Sequence, residues 1–119
     1  MFSLAQIALS AAVGLVASLV VVVVYDRATR TPPRSWTETF GLTIVVGLSI
    51  LVWRAAGNSA ALNADAIPVV SANDVLCSVL TYVSLELYAG FGHLAQRSDW
   101  PRIRALLTVV SLVVNIVTI

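Results

Sequence analysis

Four apolar runs, at residues 2–25, 40–53, 75–91 and 105–119, fill this chain almost from end to end. Only short polar connectors separate them, so a water-soluble domain has no stretch of sequence to fold from. A helix needs roughly 20 mostly apolar residues to cross about 30 Å of hydrocarbon. Four such helices and their turns use up the 119 residues. Charged residues make up 11% of the chain, against about 25% in soluble domains. The expected fold is therefore an all-α integral membrane protein. It is a single four-helix domain with helices at about 3–25, 36–56, 73–92 and 99–118.

Each helix carries local signals at its ends. Asp26 and Arg27 are expected to stop the first at the membrane surface, and Pro32 and Pro33 forbid its continuation. Ser35-Trp36-Thr37-Glu38 fits a capping box, with Ser35 as N-cap and Glu38 at the third helical position. Gly57 suits the residue just past the second helix. Ser71 or Asn73 caps the third, with Asp74 in its first turn, where a negative charge suits the helix dipole. Ser98 or Asp99 caps the fourth, and Pro101 falls in the first turn, where proline is tolerated. The connector at 58–73 is the longest, and its apolar island at 67–70 is expected to rest on the membrane surface. No basic residue precedes Arg27, so the first run reads as a retained helix rather than a cleaved signal.

The arginines orient the helices. Arg27, Arg30, Arg34, Arg97, Arg102 and Arg104 flank the first and third connectors, and Arg54 alone is on the other side. Cytoplasmic loops carry the excess of basic residues. The helices therefore read as two out-in-out hairpins, with basic turns in the cytoplasm and both termini outside. Trp36 and Trp100 fall at the inner interface and Trp53 at the outer, where aromatic belts sit. The turns share Arg34-Ser35-Trp36 and Arg97-Ser98-Asp99-Trp100, which fits an old duplication with a parallel repeat or, more simply, the arginine, cap and tryptophan that any inner hairpin selects.

Glu86 is the sharpest candidate for chemistry. It lies twelve residues after Asp74 and seven before His93, about 18 Å and about 10 Å away along a helix. A charge at that depth must be paired, hydrated or protonated, and an intramembrane carboxylate is a functional hypothesis by default. Ser78, Tyr82, Glu86 and Gly90 recur every four residues, and His93 extends the strip. One reading is a proton or cation relay from His93 through Glu86. The other, which weighs more, is a structural pair between Glu86 and Arg104 at matching depth, helped by Tyr82 or Ser78.

Small residues are the second signal. Ser10, Gly14 and Ser18 in the first helix, and Thr43 and Gly47 in the second, recur every four residues. Such faces let helices approach closely in lipid. Arg54 is expected to snorkel to the outer interface. Asn115 reads as either a helix–helix hydrogen bond or an interfacial residue. Cys77, the single cysteine, reads as a packing residue, and Asp65 and Asp74 are too isolated for a cation site.

No phosphate-binding loop, zinc motif, nucleophile elbow or paired cysteine motif is present, and the arginines are too scattered for a nucleic-acid footprint. The expected partners are the lipid bilayer and other membrane subunits or a second copy, with no cofactor, no metal and no enzymatic activity. The leading expectation is a structural or accessory subunit of a respiratory or photosynthetic complex or of a viral membrane. It would reside in a prokaryotic cell membrane or a virus inner membrane. Alternatives are a small proton- or cation-coupled transporter using Glu86, and a holin-like membrane-permeabilising protein.

Overall fold

The computed structural model describes residues 3–29, 35–57, 65–67, 70–91 and 98–118. They form four helices, α1 Leu4–Thr29, α2 Trp36–Ala56, α3 Ala72–Gly90 and α4 Trp100–Thr118. The helices pack in a ring in chain order, and α4 closes against α1. Hydrogen bonds from Arg54 to Asp74 and Asn115, and from Thr118 to Ser10, bring the start of α1, the end of α2, the start of α3 and the end of α4 to one end.

α1, α2 and α4 are each long and apolar enough to cross a membrane. α3 is long enough but not apolar enough on average, because it opens with Asn73 and Asp74 and carries Glu86 and several hydroxyls.

α1 opens with a reciprocal cap. The Gln6 amide donates to Ser3 Oγ at 3.2 Å, and the Ser3 amide donates to Gln6 Oε1 at 2.8 Å. The helix does not stop at Asp26 and Arg27 but continues to Thr29, whose hydroxyl donates to the Tyr25 carbonyl at 2.8 Å. Charges do not interrupt the backbone bonds of a helix. At 26 residues α1 is about 39 Å long, more than the roughly 30 Å that a hydrocarbon layer requires.

α2 takes half of the expected capping box. Ser35 accepts from the Glu38 amide at 3.1 Å. Gly57 donates to the Trp53 carbonyl at 2.7 Å with φ −96°, so it is not the left-handed residue that ends many helices. Space explains the glycine instead: a Cβ there would stand 3.2 Å from Asn73 Oδ1 and 3.3 Å from the Trp53 ring.

The connector before α3 holds the one departure from helix among the described residues. Asp65–Ile67 pairs antiparallel with Val70–Ser71, so residues at both ends of the apolar island belong to a short ladder. Strands of three and two residues are too short to leave an alternation in the sequence.

The polarity of the bundle is inverted relative to a soluble protein. Val13, Val16, Val20, Ile44, Leu48 and Val52 point outward, while Ser10, Ser18, Thr43, Ser49, Thr81 and Ser111 are buried. The small residues of the first two helices are where α1 and α2 close. Gly14 faces Ile50, and Gly47 faces Leu15 and the Ala11 carbonyl. Gly41 does the same for α3, since its missing side chain leaves room for the Tyr88 hydroxyl.

Candidate functional site

Two polar clusters stand out, one toward each end of the bundle. The first is built on Arg54, for which the sequence predicts a place at the outer interface. It is 1% exposed and turned inward. Its Nη2 donates to Asp74 Oδ1, and its Nε donates to Asn115 Oδ1 at 2.7 Å. Snorkelling fails because Asp74, in the first turn of the next helix, offers a buried carboxylate beside it. Asp74 is thus an ion-pair partner, not an isolated acid. Asn115 makes the helix–helix bond that was one of its two expected roles. Asn73 locks the same corner by accepting from Trp53 Nε1 at 3.1 Å and donating to the Gly57 carbonyl at 2.7 Å.

From Asn115 a chain of hydroxyls runs toward the middle of the bundle. Asn115 Nδ2 lies 3.4 Å from Ser111 Oγ, Ser111 lies 2.8 Å from Thr81, and Thr81 lies 2.7 Å from Ser49. Ser49 also bonds the Val46 carbonyl at 2.8 Å. An amide NH2 only donates, so Ser111 accepts from Asn115 and its own proton is free for Thr81. Either hydroxyl can donate in the Ser111–Thr81 and Thr81–Ser49 contacts, since the Thr81 proton also has the Cys77 carbonyl within reach at 3.0 Å and the Ser49 proton has the Val46 carbonyl. The chain links α2, α3 and α4.

Among the described residues it ends there. Toward the other end the core holds Leu42, Val46, Leu85, Ile103 and Leu107, with Thr39 and Thr43 also buried. Thr81 is the branch point, so Thr81→Val, nearly isosteric but without the hydroxyl, strips both interhelical bonds. The expected cost is about 1–2 kcal/mol, read as a lower unfolding midpoint in detergent.

The second cluster gathers around Glu86. Arg104 Nη1 and Trp100 Nε1 both donate to Glu86 Oε1, the latter at 2.9 Å. The Arg104 guanidinium also stacks over the Tyr82 ring, 4.7 Å from its centroid. Trp100 is buried rather than belted at the surface, because its indole N–H has this carboxylate to serve.

Glu86 is four residues from the last residue of α3, and Arg104 is four from the first of α4. Both therefore sit about one turn, or about 6 Å, inside the bundle end, shallower than the sequence spacing suggests. Their side chains are 41% and 23% exposed, on the outer wall at the α3–α4 seam and not in the core.

Of the expected strip, Tyr82 joins the pair through its ring contact with Arg104, the Ser78 hydroxyl bonds the Val75 carbonyl at 2.7 Å, and nothing lies within 4 Å of a Cβ at Gly90. His93 lies outside the described residues, as do Arg30, Arg34 and Arg97.

Two surface grooves among the described residues carry no charge. One of about 330 Å³ between α2 and α3 is lined by Val45, Leu48, Ser49, Val52, Leu80, Ser84 and Leu87. Another, of about 370 Å³, lies along Ala12, Val13, Val16 and Ala17 of α1. Walls of this kind accommodate acyl chains, not a polar substrate. No family, no curated protein and no solved structure matches this chain.

Proposed function

We propose that the chain is a four-span membrane bundle that serves as a structural or accessory subunit of a larger membrane assembly. Support for the fourth span comes from the faces of α3 rather than from its average. Apart from Tyr82 and Glu86 on the outer wall, polar residues such as Asn73, Asp74, Ser78 and Thr81 are buried inside the bundle, whereas Val75, Leu76, Val79, Val83 and Leu87 are exposed. At 19 residues it reaches about 28 Å, close to the hydrocarbon thickness. The arginine asymmetry favours basic turns in the cytoplasm and both termini outside.

The observation that carries the subunit reading is that Glu86 is tied to two donors, Arg104 and Trp100, on the outer wall at the α3–α4 seam. Among the described residues the hydroxyl chain reaches no farther than Ser49. A relay needs a carboxylate that faces a path and can exchange its proton. If the reading is right, isolation from native membranes in mild detergent brings down other membrane proteins in fixed ratio with the chain. Purification free of any other protein counts against it.

Glu86→Gln supplies the test against transport. Vesicles holding the variant are expected to match the wild type in proton and cation flux. A wild-type flux that the variant abolishes would overturn the subunit reading in favour of a Glu86-coupled transporter.

A further inference from the structure

We infer that the outer wall at the α3–α4 seam is a dimerisation surface, and that its occupant is a second copy of this chain in the same membrane orientation. The inference rests on α3 being a membrane span.

The four walls of the bundle are not alike. At the level of the spans, the outward positions of α1 and α2 are apolar, among them Val13, Val16, Val20, Ile44, Leu48 and Val52. The α3–α4 wall instead carries Tyr82, Glu86, Arg104 and Thr108, none of them fully buried. Polar groups on a lipid-facing wall are expensive unless something covers them.

Their bonding is also incomplete. Both donors to Glu86 use Oε1, and Oε2 accepts no hydrogen bond among the described residues. Arg104 bonds through Nη1, its Nε is buried without a partner among the described residues, and its Nη2 donates to no described residue. One wall thus offers a spare charged acceptor and a spare charged donor.

Because Glu86 and Arg104 touch, acceptor and donor are at the same depth. A two-fold axis along the membrane normal keeps depth unchanged while exchanging the two copies, as a closed isologous contact requires. It sets Arg104 of each copy against Glu86 Oε2 of the other. The two intrachain pairs then close into a ring of four alternating charges, which uses the spare groups and shields them from lipid. The complementarity is of the wall with itself, so the matching partner is another copy and not a protein of different charge pattern. An anionic headgroup would satisfy Arg104 but would face the open carboxylate oxygen of Glu86.

Cysteine crosslinking in native membranes tests the arrangement. Cys77→Ala removes the one buried thiol, and Ala105→Cys then adds one on α4 beside Arg104. Oxidation is expected to double the 12.6 kDa chain mass for Ala105→Cys, but not for Val24→Cys on the exposed face of α1.

Adding Glu86→Arg should abolish the crosslink by setting like charges together, and Glu86→Arg with Arg104→Glu should restore it. The reversed pair guards against a single variant that merely misfolds. Equal crosslinking at Ala105→Cys and Val24→Cys, or none at Ala105→Cys, overturns the dimer. Failure of the charge reversal to restore it does so too.

Val83→Cys separates this failure from that of the underlying reading. Labelling by a membrane-impermeant maleimide would show that α3 is not a span, and the dimer falls with it. Protection without crosslinking at Ala105→Cys overturns the dimer alone and leaves the four-span bundle standing.

Discussion

Asp74→Ala is expected to destabilise the bundle by about 3–5 kcal/mol, the cost of removing one partner from a buried ion pair. Total stabilities are about 5–15 kcal/mol, so the loss is a large share of the whole. Arg54 is 1% exposed, so water does not replace the carboxylate it loses. Asn115 cannot compensate, since it takes only the Nε proton and is neutral.

Replacing both partners removes the charge problem with the pair. Arg54→Leu with Asp74→Leu is therefore expected to recover most of the loss. Denaturation in detergent, followed by helical circular dichroism, distinguishes the cases. A double variant as unstable as Asp74→Ala would mean that the pair is not what holds the corner.

Gly47→Leu is the second large effect expected, about 3 kcal/mol or more. A Cβ at Gly47 would already stand 3.2 Å from Leu15 Cβ and 3.4 Å from the Ala11 carbonyl oxygen. Neither atom can rotate away, because one is fixed to the backbone of α1 and the other belongs to it. A leucine therefore forces the two helices apart, beyond the usual 1–3 kcal/mol of core overpacking.

Gly14 makes the useful contrast. A Cβ there would stand 2.5 Å from the tip of the Ile50 side chain, which is free to change rotamer within its packing. Gly14→Ala is thus expected to cost less than Gly47→Leu by a clear margin in the same unfolding assay. Equal losses would show that helix separation, and not side-chain adjustment, governs both sites.

Most of the helical layout is legible from hydrophobicity and capping residues, because apolar length and end signals are local properties. Glu86 and Arg104 are also legible as a pair, since matching depth on adjacent antiparallel helices follows from counting. The Arg54 cluster is not. Read along one helix, an arginine near a helix end belongs at the nearest interface. Its true direction depends on Asp74 and Asn115, which other helices bring to the same level.

A signal for it does exist. Arg54, Asp74 and Asn115 each lie within about one turn of the ends that an up-down bundle gathers together. Ser49, Thr81 and Ser111 all fall about 10–13 Å inward from those ends. Comparing depths across helices, instead of scanning each alone, picks out both sets. The outward exposure of the Glu86 pair and the short β-ladder leave no such trace.

The dependence of Arg54 on the later helices bears on how the chain is made. α1 and α2 are made before α3 and α4, so during synthesis Arg54 waits for both Asp74 and Asn115. The corner that these three residues form closes only once both later helices have joined the first two.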